Sequence, residues 1–313
     1  MSKKLISIAV PVYNEAPNIK TCYEALCKIA TDNPAYDFEF VFTDNCSIDT
    51  SYDLLKDIAK KDSRLTCYSF SKNFGYQKSI YAGLSKTKGE AAIIFDCDLQ
   101  DPPELVTEFL AKWEEGYKVV YGVRKKRDEP KILEASRKLF YRLINFLSED
   151  HLPLDAGDFR LVDRRIIDLM GEINDYNPYL RGIMSNFGFK QTGILYERRE
   201  RTLGKSKFNF PALVMLAVDG IISQSIVPLR FATFTGVVVS LFTLLGIIGY
   251  VMCRLVYHLH WPAGFTTLTI LMLFSLCLNS FFLGIIGEYL ARIYSQVRTR
   301  PIVIIEKSTA SDQ

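Results

Sequence analysis

Over the first 125 residues the hydrophobic positions fall into short blocks separated by amphipathic stretches. Nearly continuous apolar runs occupy residues 4–12, 38–43, 65–70, 91–95 and 118–123. Runs of this length, bounded by turn-forming residues, predict buried strands of a parallel sheet. Between them the spacing changes. Ile19, Tyr23, Leu26, Cys27 and Ala30 share one face of a helix predicted over 18–30, and Leu54, Leu55 and Ile58 one over 51–60. Further helices are predicted over 77–85 and 104–115. Strand and helix alternate, which predicts a doubly wound α/β domain.

The pattern changes after residue 125. A basic run, Arg124-Lys125-Lys126-Arg127, leads to residues 134–149. There Leu139, Phe140, Leu143, Phe146 and Leu147 share a helical face, with Arg137, Lys138, Tyr141 and Arg142 around the remainder. Such a helix either packs on the sheet or lies in a membrane interface. The long apolar segments later in the chain favour the interface. Gly157-Asp158-Phe159-Arg160-Leu161 follows a turn-rich stretch, and Asp163-Arg164-Arg165 marks a helix start. A second short helix is predicted over 177–187, and an edge strand over 190–201 running into the basic loop 198–207. Residues 211–226 form a mostly apolar helix expected to lie on the membrane. Residues 231–253 and 261–287 are uncharged, and each exceeds the roughly 20 residues that cross a bilayer. They predict a two-helix hairpin. Arg230 precedes it and Arg292, Arg298 and Arg300 follow it, so the positive-inside rule places both ends in the cytoplasm, against the mild dissent of Arg254. Gly-Ile-Ile-Gly occurs in both spans, and these small-residue faces could pair with other copies of the chain.

Composition narrows the function classes. The chain has 313 residues, room for one large domain or two ordinary ones. A net charge of +3 is too mild for a nucleic-acid partner. The 49% hydrophobic share and mean hydropathy of +0.08 reflect the two spans, which carry no run of charges suited to an ion path. The N-terminus does not read as a signal peptide, because Pro11 and Asn14-Glu15 interrupt its short apolar run. Seven cysteines without a C-x-x-C pair fit a reducing cytosol and exclude a zinc site or disulfide framework.

Candidate chemistry centres on AAIIFDCDLQDPPEL, residues 91–105. Open α/β sheets bind ligands at the carboxyl ends of their strands. Asp96, Asp98 and Gln100 can gather oxygen ligands around Mg²⁺ or Mn²⁺, which completes its shell with waters and substrate phosphates. Alternatively, the two aspartates cap the helix that Pro103 begins. Asn14-Glu15 and Asp44-Asn45 follow the first and second strands at the same edge of the sheet, and that coincidence favours a site. The basic loop around Gly204 suits phosphate oxygens; a solvated surface loop is the alternative.

In this order, VPVYNE, TDNCSIDTS, DCDLQDPPE, GDFRL and RTLGKSKF resemble the family 2 glycosyltransferases. More narrowly, they resemble the polyprenyl-phosphate glycosyltransferases, the group of dolichyl-phosphate mannose synthase and the bactoprenol glucosyltransferases. The resemblance covers nearly the whole chain. It implies a GT-A fold, Rossmann-like and α/β with a mostly parallel sheet, in the cytosol. A divalent cation and a nucleotide sugar would bind there, and the sugar would pass with inversion to a polyprenyl monophosphate at the membrane. Glucose from UDP-glucose is the first expectation, with another sugar or GDP-mannose as the alternative. The implied layout is a nucleotide-sugar-binding core at 1–133, an acceptor-side region at 134–227, two spans within 228–292 and a cytosolic tail at 293–313.

Carried over by position, the resemblance places Pro11, Tyr13 and Glu15 in the nucleotide pocket, with Asp44 at the base. Asp96, Asp98 and Gln100 take the metal and diphosphate motif, and Asp98 with Asp158 the catalytic positions. Arg124 would contact the donor, as would Arg201 and Lys207, while Arg137 would hold the acceptor phosphate. The usual Asp-Asp-Gly-Ser turn is here Asp44-Asn45-Cys46-Ser47, which leaves the base preference open. A lipid phosphate, with a second pKa near 6, is largely dianionic at neutral pH and needs no deprotonation. Asp158 is therefore expected to position the acceptor or stabilise charge as readily as to act as a base. A catalytically idle scaffold would be marked by loss of the metal carboxylates, and both are present. A processive synthase would need more spans than two.

Overall fold

The structure is a computed structural model whose described residues are 3–125, 156–173, 175–176, 178–198, 264–298 and 300–310, with scattered positions between 229 and 256. The chain divides into two compact units: Met1–Lys138, Asp150–Phe208 and Thr299–Gln313 in the first, Leu139–Glu149 and Asn209–Arg298 in the second.

The first unit opens with the alternation expected of the hydrophobic pattern. Strand β1 (Lys4–Val12), helix α1 (Ala16–Asp32), β2 (Tyr36–Asp44), α2 (Ser51–Ala59), β3 (Leu65–Phe70), α3 (Tyr76–Lys86), β4 (Ala91–Ile94), α4 (Leu105–Glu114) and β5 (Val119–Arg124) follow one another. Then come β6 (Ala156–Asp163), α5 (Arg164–Glu172), α6 (Leu180–Asn186) and β7 (Gln191–Tyr196). The sheet order is β7-β5-β6-β4-β1-β2-β3-β8, the last strand being Ile305–Ser308. The first four strands are parallel. β6 runs antiparallel to both β4 and β5, and β8 antiparallel to β3.

Both faces of the sheet are covered. Ile6, Ile8 and Val10 of β1 join Phe40, Phe42 and Ile93 against Ile19, Leu26 and Phe109. On the other face Ala9, Ala92, Ile94 and Val162 meet Ile80 and Leu84 of α3 and Ile166 and Met170 of α5. Strands buried on both faces carry nearly continuous apolar runs, which is why the pattern was readable. Pro11 stays inside β1, opposite Thr43. Phe95 donates to the Ala9 carbonyl, so odd positions of β1 face β4. By Pro11 that strand has ended, and the missing N–H leaves no ladder bond unmade.

Two strands differ from the sequence expectation. GDFRL is an interior strand, β6. Phe159 and Leu161 face one layer, while Val162 faces the other and Arg160 is itself buried. A buried arginine within the strand breaks the apolar run, so the strand signal is lost. Arg160 is accommodated because its guanidinium donates to the Gly157 carbonyl at 2.7 Å. At its end Asp163 caps α5 by accepting from the Arg165 amide, and also accepts from Trp113 Nε1 at 2.8 Å. β8 comes from the tail after the membrane-type helix. Its sequence is polar, and backbone pairing makes it: Thr309 donates to the Cys67 carbonyl and Ser71 to that of Ile304. It covers the β3 edge, which would otherwise present unpaired backbone groups.

In the second unit, residues 232–239 are helical, and α7 spans Phe265–Val297. Within it Phe274–Val297 is the one helix among the described residues long and apolar enough to cross a membrane. Leu271, Phe274, Leu276, Phe281, Leu283 and Ile286 are all exposed along α7. The helix runs ten residues beyond the predicted span because no Gly or Pro breaker follows Gly287 before Pro301. The helix at 211–226 lies outside the described residues, and the described positions of the first predicted span, 231–253, are helical but interrupted, so one apolar helix long enough to cross a membrane is established and the hairpin is not.

Candidate active site

The motif turns converge at the carboxyl edge of the parallel strands. Three described non-glycine residues have positive φ: Asn14 at 55°, Cys46 at 61° and Leu99 at 54°. They follow β1, β2 and β4 in turn. A left-handed backbone costs a side-chain-bearing residue about 1–2 kcal/mol, and such strain gathers at functional sites. The first two turns are stitched together. Asn14 N donates to Ser47 Oγ at 2.9 Å, Ile48 N to Asn14 Oδ1 at 2.9 Å, and Glu15 N to Ser51 Oγ at 3.0 Å. Pro11 is buried and Tyr13 exposed, while the Glu15 side chain accepts from Asn18 Nδ2. Asp44 is buried, its two oxygens accepting from Ser47 N at 3.2 Å and Ser69 Oγ at 2.7 Å.

The departure from Asp-Asp-Gly-Ser has a physical reason. Asn45 is buried; its Nδ2 donates to Asn73 Oδ1 at 2.9 Å and its Oδ1 accepts from Phe74 N at 2.8 Å. A carboxylate at 45 has no donor to offer Asn73. Cys46 keeps the left-handed backbone that a glycine would adopt freely.

The reversal of β6 assembles the acidic part of the site. Ile93 pairs with Leu161 and Ile94 with Arg160, so continuing the register by two residues sets Asp158 opposite Asp96. Asp96 Oδ1 accepts from the Tyr76 hydroxyl at 2.6 Å. Burial, reinforced by Asp101, Asp98 and Asp158, pushes the Asp96 carboxyl up to about 7, against the opposing pull of the Tyr76 bond. Asp98 Oδ1 accepts from the Gln100 backbone N–H at 3.2 Å, closing the turn that Leu99 strains. Asp158 lies 3.3 Å from Arg181 Nε of α6 and accepts from Gln77 Nε2 at 3.5 Å.

A second layer holds Arg124. Asp101 is buried, accepts from the Tyr196 hydroxyl, and lies 3.5 Å from Arg198 Nε. The same hydroxyl accepts from Arg124 Nε at 3.3 Å. Gly122 makes room for this arrangement, since a Cβ there would sit 2.6 Å from the Tyr196 ring. Arg124 itself lies over Gly157, its guanidinium 3.5 Å from where a Cβ would stand, beside Asp158.

Of the residues singled out from the sequence, Pro11, Tyr13, Glu15, Asp44, Asp96, Asp98, Gln100, Arg124 and Asp158 therefore lie along one edge of the sheet. Arg137, Arg201 and Lys207 lie outside the described residues. Sequence reasoning missed Tyr76, Gln77, Asp101, Arg181 and Tyr196 as site residues. Asp101 had a signal, a third acidic residue in the central motif. The others act across pairings that no local pattern records. Among the described residues no group of three His, Cys, Asp or Glu side chains stands ready to hold a metal. Crowded carboxylates around Asp96, with an amide at Gln100, are a hard-oxygen donor set that fits Mg²⁺ or Mn²⁺ once substrate oxygens add to it.

The mostly parallel α/β sheet, with aspartates and arginines gathered at its carboxyl edge, is GT-A-like. Residues 7–170 match the Glycosyl transferase family 2 model, and the chain belongs to that family. It is a glycosyltransferase. It is 38% identical to an uncharacterized glycosyltransferase, YkcC, of Bacillus subtilis (strain 168), over 96% of this chain and 93% of that one. It is 33% identical to the SfII prophage-derived bactoprenol glucosyl transferase of Shigella flexneri, over 97% of this chain and 98% of the relative. Among solved structures it resembles the mannosyltransferase PcManGT from Pyrobaculum calidifontis, in complex with GDP-Man and Mn²⁺. The TM-score is 0.50 at 17% identity, over 71% of this chain and 63% of that one.

Proposed function

We propose that this glycosyltransferase moves a hexose, glucose from UDP-glucose in the first instance, onto a polyprenyl monophosphate such as undecaprenyl phosphate. The observation that carries the reading is the approach of Asp98 and Asp158 to Asp96, with Arg124 beside Gly157. The name of the Shigella relative supports the lipid acceptor and glucose. Asp96, Asp98 and the Gln100 amide would hold Mg²⁺ or Mn²⁺, which supplies charge neutralisation for a leaving nucleoside diphosphate. Arg124 adds a fixed cation on the same side, and Arg201 with Lys207 is assigned the same task. Pro11, Tyr13, Glu15 and Asp44 form the nucleotide pocket. A lipid phosphate oxygen attacks the anomeric carbon as the bond to the diphosphate breaks, inverting that centre. The attacking oxygen is already ionised, so Asp158, braced by Arg181 and Gln77, positions the acceptor and balances charge at the sugar carbon.

In this reading residues 231–253 and α7 are two spans, so both termini and the sheet unit lie on the cytoplasmic side, with Arg298 and Arg300 at the inner end of α7. Arg137, in the stretch whose sequence predicts a basic helix, is assigned to hold the acceptor phosphate there. Purified full-length protein incubated with radiolabelled nucleotide sugars, undecaprenyl phosphate and Mg²⁺ tests the assignment. One sugar should enter the organic-soluble lipid fraction. Label released at the same rate with and without lipid would overturn it.

A further inference from the structure

Helix α3 begins with two consecutive residues that touch the two acidic centres of the site. The Tyr76 hydroxyl donates to Asp96 and the Gln77 amide nitrogen to Asp158. Tyr76 stands apart from a buried structural tyrosine: its hydroxyl is tied down while the residue as a whole is 41% exposed. Gly75 before it has φ +95° and open space where a Cβ would stand. Gln77 is oriented by its partner, because only the NH₂ end of the amide can face a carboxylate favourably. That orientation leaves Gln77 Oε1 buried, with no hydrogen-bond partner among the described residues. A buried amide oxygen left unbonded costs about 1–3 kcal/mol, so this atom calls for a donor. Phosphate oxygens carry no proton at neutral pH to donate. A sugar hydroxyl does.

We infer that Tyr76 and Gln77 are the residues that read the transferred sugar. The exposed Tyr76 ring forms an apolar wall beside Asp96, and Gln77 Oε1 accepts a hydrogen bond from one hydroxyl of the hexose. Gln77 is thus a specificity-determining residue whose amide ties that hydroxyl to Asp158. The inference rests on the glycosyltransferase reading but not on the lipid acceptor.

The test is a cycle in calorimetric binding with full-length protein in detergent. The donors are UDP-glucose, UDP-galactose and GDP-mannose and the single-deoxy analogues of each, set against wild type and Gln77→Ala. Removing the contacted hydroxyl should weaken wild-type binding about tenfold, the worth of one hydrogen bond. The same deletion should cost Gln77→Ala less than twofold, while free UDP or GDP binds both proteins alike. If no deoxy donor loses affinity on wild type and regains parity on Gln77→Ala, the inference is overturned. Equal weakening of free nucleoside diphosphate and nucleotide sugar overturns it as well, since Gln77 would then serve the diphosphate or the fold. Gln77→Asn, whose shorter amide keeps the polarity but not the reach, should behave as Gln77→Ala does. Failure of transfer to undecaprenyl phosphate, with this binding cycle intact, would reject the acceptor assignment alone.

Discussion

Replacing Tyr196 with Phe removes one oxygen and disturbs two charged groups. The hydroxyl donates to Asp101 and accepts from Arg124 Nε at 3.3 Å. Asp101 is 1% exposed, and its Oδ2 has no hydrogen-bond partner among the described residues. Without the phenol it keeps the Arg198 contact at 3.5 Å. A hydrogen bond to a charged group contributes about 1.5–3 kcal/mol. The Arg124 bond is long, and Arg198 offsets part of the Asp101 loss, so the net destabilisation is about 2–3 kcal/mol. For a unit of this size that lowers Tm by about 5–10 °C. The ring stays on Phe159, 6.2 Å between centroids, so the fold persists and kinetics can be read. Arg124 loses an anchor beside Gly157. The KM for the nucleotide sugar should rise about tenfold, while that for the lipid phosphate stays within twofold. Gly122→Ala, which pushes the ring away but keeps its hydroxyl, should give the same kinetic split. Unchanged thermal stability, or a rise in acceptor KM alone, would refute the coupling of Tyr196 to Arg124.

Asp98→Ala should abolish transfer in a folded, membrane-bound protein, and EDTA should do the same to the wild type until Mg²⁺ or Mn²⁺ is restored; full activity in EDTA would reject the cation. Asp96, held at about 7 by burial, makes kcat/KM rise with pH through that value, because the charged form is needed. Its folded value lies above the unfolded one, so the stability linked to it is present below about pH 4 and is lost as pH rises towards 7. Added Mn²⁺ should flatten that decline in a Tm-against-pH series, and a decline unchanged by the ion would contradict the assignment. Asn45→Asp should cost about 2 kcal/mol at pH 7.5 by setting a buried carboxylate against Asn73 Oδ1, seen as a lower Tm; a stabilised variant would show that the family turn tolerates either residue here. Arg137→Ala should raise KM for lipid phosphate far more than for nucleotide sugar, and the opposite split would move the basic helix to the donor side.

The five leading strands, the helices between them and the acidic turns were legible because each is specified by residues close in sequence. A strand buried on both faces must be largely apolar, and 91–95 is so throughout while 4–12 and 38–43 depart only at Lys4, Ser7, Glu39 and Thr43. Ligand-binding turns must follow such strands at one edge, so Asn14, Asp44 and Asp96 could be grouped before any coordinates. The C-terminal strand could not be read this way, since polar Ile305–Ser308 is a strand only because β3 has a free edge to pair with. Nor could the surroundings of Asp158. Its place opposite Asp96 depends on β6 running backwards between β4 and β5, a topological fact with no periodicity of its own. The bonds that complete the site join residues 81 apart in Gln77–Asp158 and 95 apart in Tyr196–Asp101. Local propensity acts over a few residues along the chain, whereas contacts at such separations exist only once sheet register and helix packing have brought their elements together.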